Sequence, residues 1–138
     1  MRVYRIARQK WIGNLSGSGV PGRWNQAGKR MLYTASSLAL ALLEMLVHVE
    51  RDQLPNYMWV AADVPDDYIE HISAIPSDPA SYGTAWLERP GATVALAVPS
   101  VIIPEQNVLL NPGHTDFSRI AWADSVTLEI DPRLIQVP

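Results

Sequence analysis

The chain has no cysteine among its 138 residues. Disulfide frameworks, thiolate nucleophiles and zinc–thiolate sites are therefore excluded. Charge is sparse as well: charged residues make up 18%, low for a disordered chain. The formal net charge of −3 supplies no basic excess for binding a nucleic-acid backbone. A local basic pocket stays open, because net charge does not report on clefts. Long apolar runs are lacking too. The longest, residues 38–49, is interrupted by Glu44 and His48 and is too short to span a bilayer. The opening Met1-Arg2-Val3-Tyr4-Arg5-Ile6 lacks the apolar centre of a signal peptide. The expectation is a cytoplasmic protein with no membrane segment. Repeats and low-complexity segments are not visible, and the prolines are scattered, so one domain over residues 1–138 is expected.

What is present is enough apolar material, 48%, for a proper core. Residues 3–6 read as a strand, and 13–28 as a long loop rich in Gly, Ser and Asn. Residues 31–34 read as a second strand. Ser36 or Ser37 is placed to cap a helix running to about Glu50. That helix is apolar nearly all round, which predicts burial. Strands are expected over 57–64, 93–98, 101–103, 108–110 and 125–130, and a short helix over 79–87. The pattern predicts an α+β fold with a mainly antiparallel sheet and a buried helix carrying Glu44. Strands and helices do not alternate regularly enough for a doubly wound sheet.

The run Gly17-Ser18-Gly19-Val20-Pro21-Gly22 matches the dinucleotide fingerprint literally. The fingerprint needs a strand before it and a helix opening inside it. Pro21 and the following Arg23-Trp24-Asn25 favour a continued loop instead. Glu44 lies mid-helix among Leu42, Leu43, Met45 and Leu46. Carboxylates are rarely buried without a partner, so either something compensates it or it shares a thin exposed stripe with His48. Periodicity leaves the two readings equal. Arg5 and Arg23 sit in apolar or Gly-rich surroundings and suit bidentate phosphate binding, although either alone reads as a surface arginine. Tyr33, just before the helix, fits a stacking wall or a core tyrosine. Ser100 follows a strand and Pro99, and fits a cleft hydroxyl or a turn serine. His48, His71 and His114 lack metal-ligand spacing, so no metal is expected. The five tryptophans read as core or pocket walls.

Taken together these residues resemble the RES domain, the toxin half of a bacterial toxin–antitoxin pair. Val3-Tyr4-Arg5-Ile6 is similar to the family's opening strand, and Gly22-Arg23-Trp24-Asn25 with Gly28 to its Gly-Arg-Trp-Asn loop. Tyr33-Thr34 and Ala39-Leu40-Ala41-Leu42-Leu43-Glu44, on to His48, resemble its Tyr strand and Glu helix. Val98-Pro99-Ser100 resembles its Ser motif. Asn107-Val108-Leu109-Leu110-Asn111-Pro112 with His114 and Phe117, then Asp131-Pro132-Arg133-Leu134, resemble its later segments. Pro21 stands where the family often has a second glycine.

The resemblance implies an ADP-ribosyltransferase-like fold with NAD as substrate and no resident cofactor. It implies a toxin that breaks the nicotinamide bond of NAD, with water or phosphate as acceptor. The alternatives are ADP-ribosylation of a protein, or a catalytically silent partner-binding module. Arg23, Tyr33, Glu44 and Ser100 would be the catalytic residues. Arg5, Arg23, Trp24, Tyr33 and Asn111 would bind NAD. The implied partner is an Xre-type helix-turn-helix antitoxin, which would touch DNA in place of this chain. The resemblance leaves a homo-oligomer open.

Overall fold

The computed structural model describes residues 1–49 and 56–135. Strands β1 (Arg2–Arg8) and β2 (Leu32–Ala35) precede helix α1 (Leu38–His48). Next come β3 (Tyr57–Asp63), β4 (Ile69–His71), helix α2 (Pro79–Glu88), β5 (Ala95–Pro99) and β6 (Gln106–Leu110). Two short strands, β7 (Ala121–Trp122) and β8 (Val126–Thr127), close the series. Short 3-10 turns occupy Asp66–Tyr68, Thr115–Arg119 and Pro132–Ile135.

The strands form one sheet in the order β4-β5-β6-β2-β1-β3-β7, with β8 also on β3. Every pairing is antiparallel except β4 with β5, so the mainly antiparallel expectation holds. β2 lies between β1 and β6. Its link to β1 is the single pair Tyr4↔Ala35, whereas it runs alongside β6 from Leu32↔Leu110 to Ala35↔Asn107.

Alternation along the strands gives the sheet two faces. Val3, Leu32, Ala62, Ala95, Ala97, Val108 and Leu110 bury one of them. The other carries both helices in separate apolar layers. Leu40 and Ala41 of α1 pack with Ala35, Tyr4, Ile6 and Ile103. Trp86 of α2 packs with Trp24, Met31, Leu96, Val98 and Leu109.

α1 starts at Ser37, whose Oγ accepts the Leu40 N–H at 3.0 Å, as the capping signal predicted. The same hydroxyl donates to Glu105 and ties the helix to the β5–β6 connection. The expected end at Glu50 lies outside the described residues. The burial of α1 is corrected by the structure. Only Leu40 and Ala41 are buried, and Val47 is 66% exposed. The helix rests on the sheet by one face, and apolar composition alone does not place a second layer over the other.

Two strand readings are corrected as well. Residues 101–103 form bends, because the Ser100 Oγ captures the Ile102 N–H at 3.0 Å and turns the chain. The expected strand over 125–130 shrinks to Val126–Thr127. Among the described residues no helix is long and apolar enough to cross a membrane.

Candidate active site

Tyr33 alternates onto the sheet face that carries both helices, in register with Leu109, which in turn pairs with Leu96. It remains 38% exposed between the two apolar layers, and we take the gap between them as the candidate groove, with Tyr33 on its floor. One wall is α1. The other is the 22–31 segment, held against α2.

That second wall is closely tied down. Gly83 lets α2 approach the Trp24 carbonyl. The Gln26 N–H donates to Thr84 Oγ1 at 3.0 Å, and Lys29 pairs with Glu88. Trp24 is 2% exposed and meets Tyr82 edge to face, with ring centroids 6.4 Å apart. Its ring is core, so the tryptophan of this loop anchors the wall and does not present a stacking face. Arg23 beside it is exposed and enters no ion pair among the described residues. A guanidinium in that position is available to an anionic ligand.

The Tyr33 hydroxyl accepts the Trp24 N–H at 3.1 Å and donates to Asn25 Oδ1. Burial pushes this phenol above its ordinary range, and the Trp24 N–H offsets part of the rise. Asn25 carried no role in the sequence reading, although it lies in the Gly-Arg-Trp-Asn run. Its place in that run, three residues after Gly22 and three before Gly28, was the available signal.

Glu44 projects from α1 and is half-buried. The Ser100 hydroxyl points to its Oε1 at 3.5 Å, the long limit of a hydrogen bond. Because that hydroxyl also accepts the Ile102 N–H, its proton is directed towards the carboxylate. A helix residue and a residue just past β5, 56 positions apart, thus meet.

Arg5 and Asn111 lie elsewhere. Arg5 alternates onto the Val3 face, and its guanidinium donates to the carbonyls of Ile12 (2.8 Å), Asn14 (3.2 Å) and Trp11 (3.4 Å). Burial lowers its pKa from the usual arginine value. It holds the 11–14 loop. Asn111 stands at the far end of β6 from Asn107, which pairs with Val98 near Ser100. Its Oδ1 accepts the Gly113 N–H at 3.0 Å. Together with Asn14, Arg30 and Phe117 it lines a shallow depression. His114 caps the Thr115–Arg119 turn: its Nδ1 accepts the Asp116 N–H at 2.9 Å while its Nε2 faces the Ala92 carbonyl. A carbonyl only accepts, so the ring is held with its proton on Nε2. Among the described residues no group of His, Asp and Glu is placed to hold a metal ion.

A family model described as the RES domain matches residues 2–131. The chain belongs to the RES domain family. This RES domain is 36% identical to "Toxin Res" of Photorhabdus laumondii subsp. laumondii, over 99% of the chain and 98% of the relative. It is 37% identical to "Prs ADP-ribosylating toxin" of a Sphingobium species, over 98% and 95% respectively. Its fold is similar to that in the crystal structure of the M. tuberculosis MbcT–MbcA toxin–antitoxin complex. The TM-score there is 0.72 at 19% identity, covering 97% of this chain and 86% of that one.

Proposed function

We propose that this chain is the toxin of a toxin–antitoxin pair and that it cleaves NAD at the bond between nicotinamide and ribose. The observation that carries the reading is the contact between Glu44 and Ser100, with Tyr33 partly exposed on the helix-bearing sheet face and the exposed Arg23 in the loop that bonds the Tyr33 hydroxyl. Full-length relatives named as toxins support the biological role. In the ADP-ribosyltransferase-like arrangement proposed here, the pyrophosphate meets Arg23 and the nicotinamide ribose lies between Tyr33 and Glu44. As the C1′–N bond breaks, its electron pair leaves with neutral nicotinamide and the ribose becomes oxocarbenium-like. A fixed carboxylate stabilises that developing charge, and fixed charges of this kind are usually the largest catalytic contribution. Ser100 holds the carboxylate in place. Water then bonds to C1′ and releases a proton, giving ADP-ribose; phosphate in its place gives the phosphorylated sugar.

A second reading is transfer of ADP-ribose to a protein, favoured by the relative named as ADP-ribosylating. Both reactions share the donor site and differ only in acceptor. The partner proposed for either is an Xre-type antitoxin that covers the groove. The test is free nicotinamide released from NAD by the purified chain, with and without phosphate, beside a Glu44→Ala control. Release that needs Glu44 supports NAD cleavage, and phosphate dependence names the acceptor. No release from folded, partner-free protein moves the reading to transfer, which mass spectrometry of candidate targets then checks.

A further inference from the structure

Asn25 is a polar side chain only 2% exposed. Its amide nitrogen donates to the carbonyls of Val20 at 3.0 Å and Lys29 at 2.9 Å. Both partners only accept, so the nitrogen must face them and Oδ1 must face Tyr33. The Tyr33 hydroxyl gives its proton to that oxygen and accepts the Trp24 N–H in return. Gly22 makes room for the arrangement. A Cβ there would stand 2.7 Å from the Tyr33 oxygen and 2.8 Å from Asn25 Oδ1.

A phenol whose proton is already given to Asn25 has none to offer a substrate, and its oxygen already accepts one N–H from the protein. What remains open to the groove is its ring. We propose that Asn25 is a positioning residue: through the Tyr33 hydroxyl it makes that tyrosine a fixed wall of the groove and holds the Arg23 strap at the rim. Tyr33 is then not a proton-transfer group. The inference rests on the NAD reading for its substrate, but its geometry is testable without turnover.

The first readout is the ultraviolet titration of tyrosinate. Subtracting Tyr33→Phe from the unmutated protein isolates Tyr33, and the same subtraction is made in an Asn25→Ala background. Tyr33 is expected to ionise at lower pH once Asn25 is gone, because its neutral form loses an acceptor and the site opens to water. A titration that Asn25→Ala leaves in place overturns the proposal.

The second readout is nicotinamide release. Asn25→Ala is expected to raise KM for NAD about tenfold, the loss of roughly one well-made hydrogen bond, with kcat changed far less. Tyr33→Phe retains the ring and should keep the shape of the kcat–pH profile, while Tyr33→Leu should lose most NAD binding. A Tyr33→Phe protein that folds, loses kcat and shifts that profile shows a proton-transferring hydroxyl, and the proposal fails. If Asn25→Ala does not fold, this comparison of Phe with Leu still decides. If the unmutated chain releases no nicotinamide, the NAD reading fails while the titration still judges Asn25.

Discussion

A side chain on Gly83 would begin 1.9 Å from the Trp24 carbonyl oxygen. Backbone touches backbone there, so α2 and the 22–31 wall are a single unit. Gly83→Ala must push them apart. Overpacking of this kind costs about 1–3 kcal/mol. The expected outcome is a lower melting temperature together with a raised KM for NAD, since Arg23 and Tyr33 depend on that wall. Thermal unfolding and nicotinamide release measured on one preparation check both parts.

Glu44→Gln keeps the shape of the side chain and removes its charge. Nicotinamide release is expected to fall about a hundred-fold or more, the usual size of a single electrostatic group aimed at developing charge. Circular dichroism should not change. Ser100→Ala removes the long bond to Glu44 and the acceptor of the Ile102 N–H, and the expected fall is nearer tenfold. Full activity in a folded Glu44→Gln protein would remove the carboxylate from the mechanism.

Arg5 distinguishes a loop tie from a ligand contact. Arg5→Ala removes the guanidinium from three carbonyls of the 11–14 loop, of which Trp11 keeps the Asn14 N–H as a donor. The expected cost is about 1–3 kcal/mol of stability, with faster proteolytic cutting in that loop. A variant as stable as the parent, but with a raised KM for NAD, would instead make Arg5 a phosphate ligand.

Tyr33 gives a pH dependence whose sign follows from its raised pKa. The unfolded phenol ionises near pH 10, the folded one higher. Relative to Tyr33→Phe, the stability tied to the neutral phenol is fully present below about pH 10 and is lost as pH rises through the folded value. Denaturant unfolding of both proteins from neutral to strongly alkaline pH checks this. A stability difference that grows with pH contradicts it.

Much of this was legible in the residues. The capping serine before α1, the strand ending before Pro65 and the Pro-led helix α2 carry local signals, and all three appear. β4 was missed because three residues show no period, and its pairing with β5 is tertiary. Val101 to Ile103 looked like a strand by composition, but one hydroxyl at Ser100 outcompeted ladder bonds that had no partner strand. At the site, Glu44 and Tyr33 stood out as polar groups in apolar surroundings. Trp24 gave no sign of which way its ring faced, because the need for a core anchor and for a stacking wall select the same side chain. Gly83 was silent: its importance lies wholly in what approaches it from far along the chain.

Arg23, Tyr33 and Glu44 follow one another within a short stretch near the start of the chain, yet β2 carries Tyr33 chiefly through its long edge with β6. Ser100, the partner of Glu44, also comes from the later half. During synthesis the residues of the site emerge early and wait. A nascent chain that has not reached Gln106–Leu110 has no outer edge for β2 and no seat for the groove. On the reading proposed above, a fragment lacking Gln106–Leu110 would carry Arg23, Tyr33 and Glu44 without the strand that seats them, so the function would depend on the later half of the sheet.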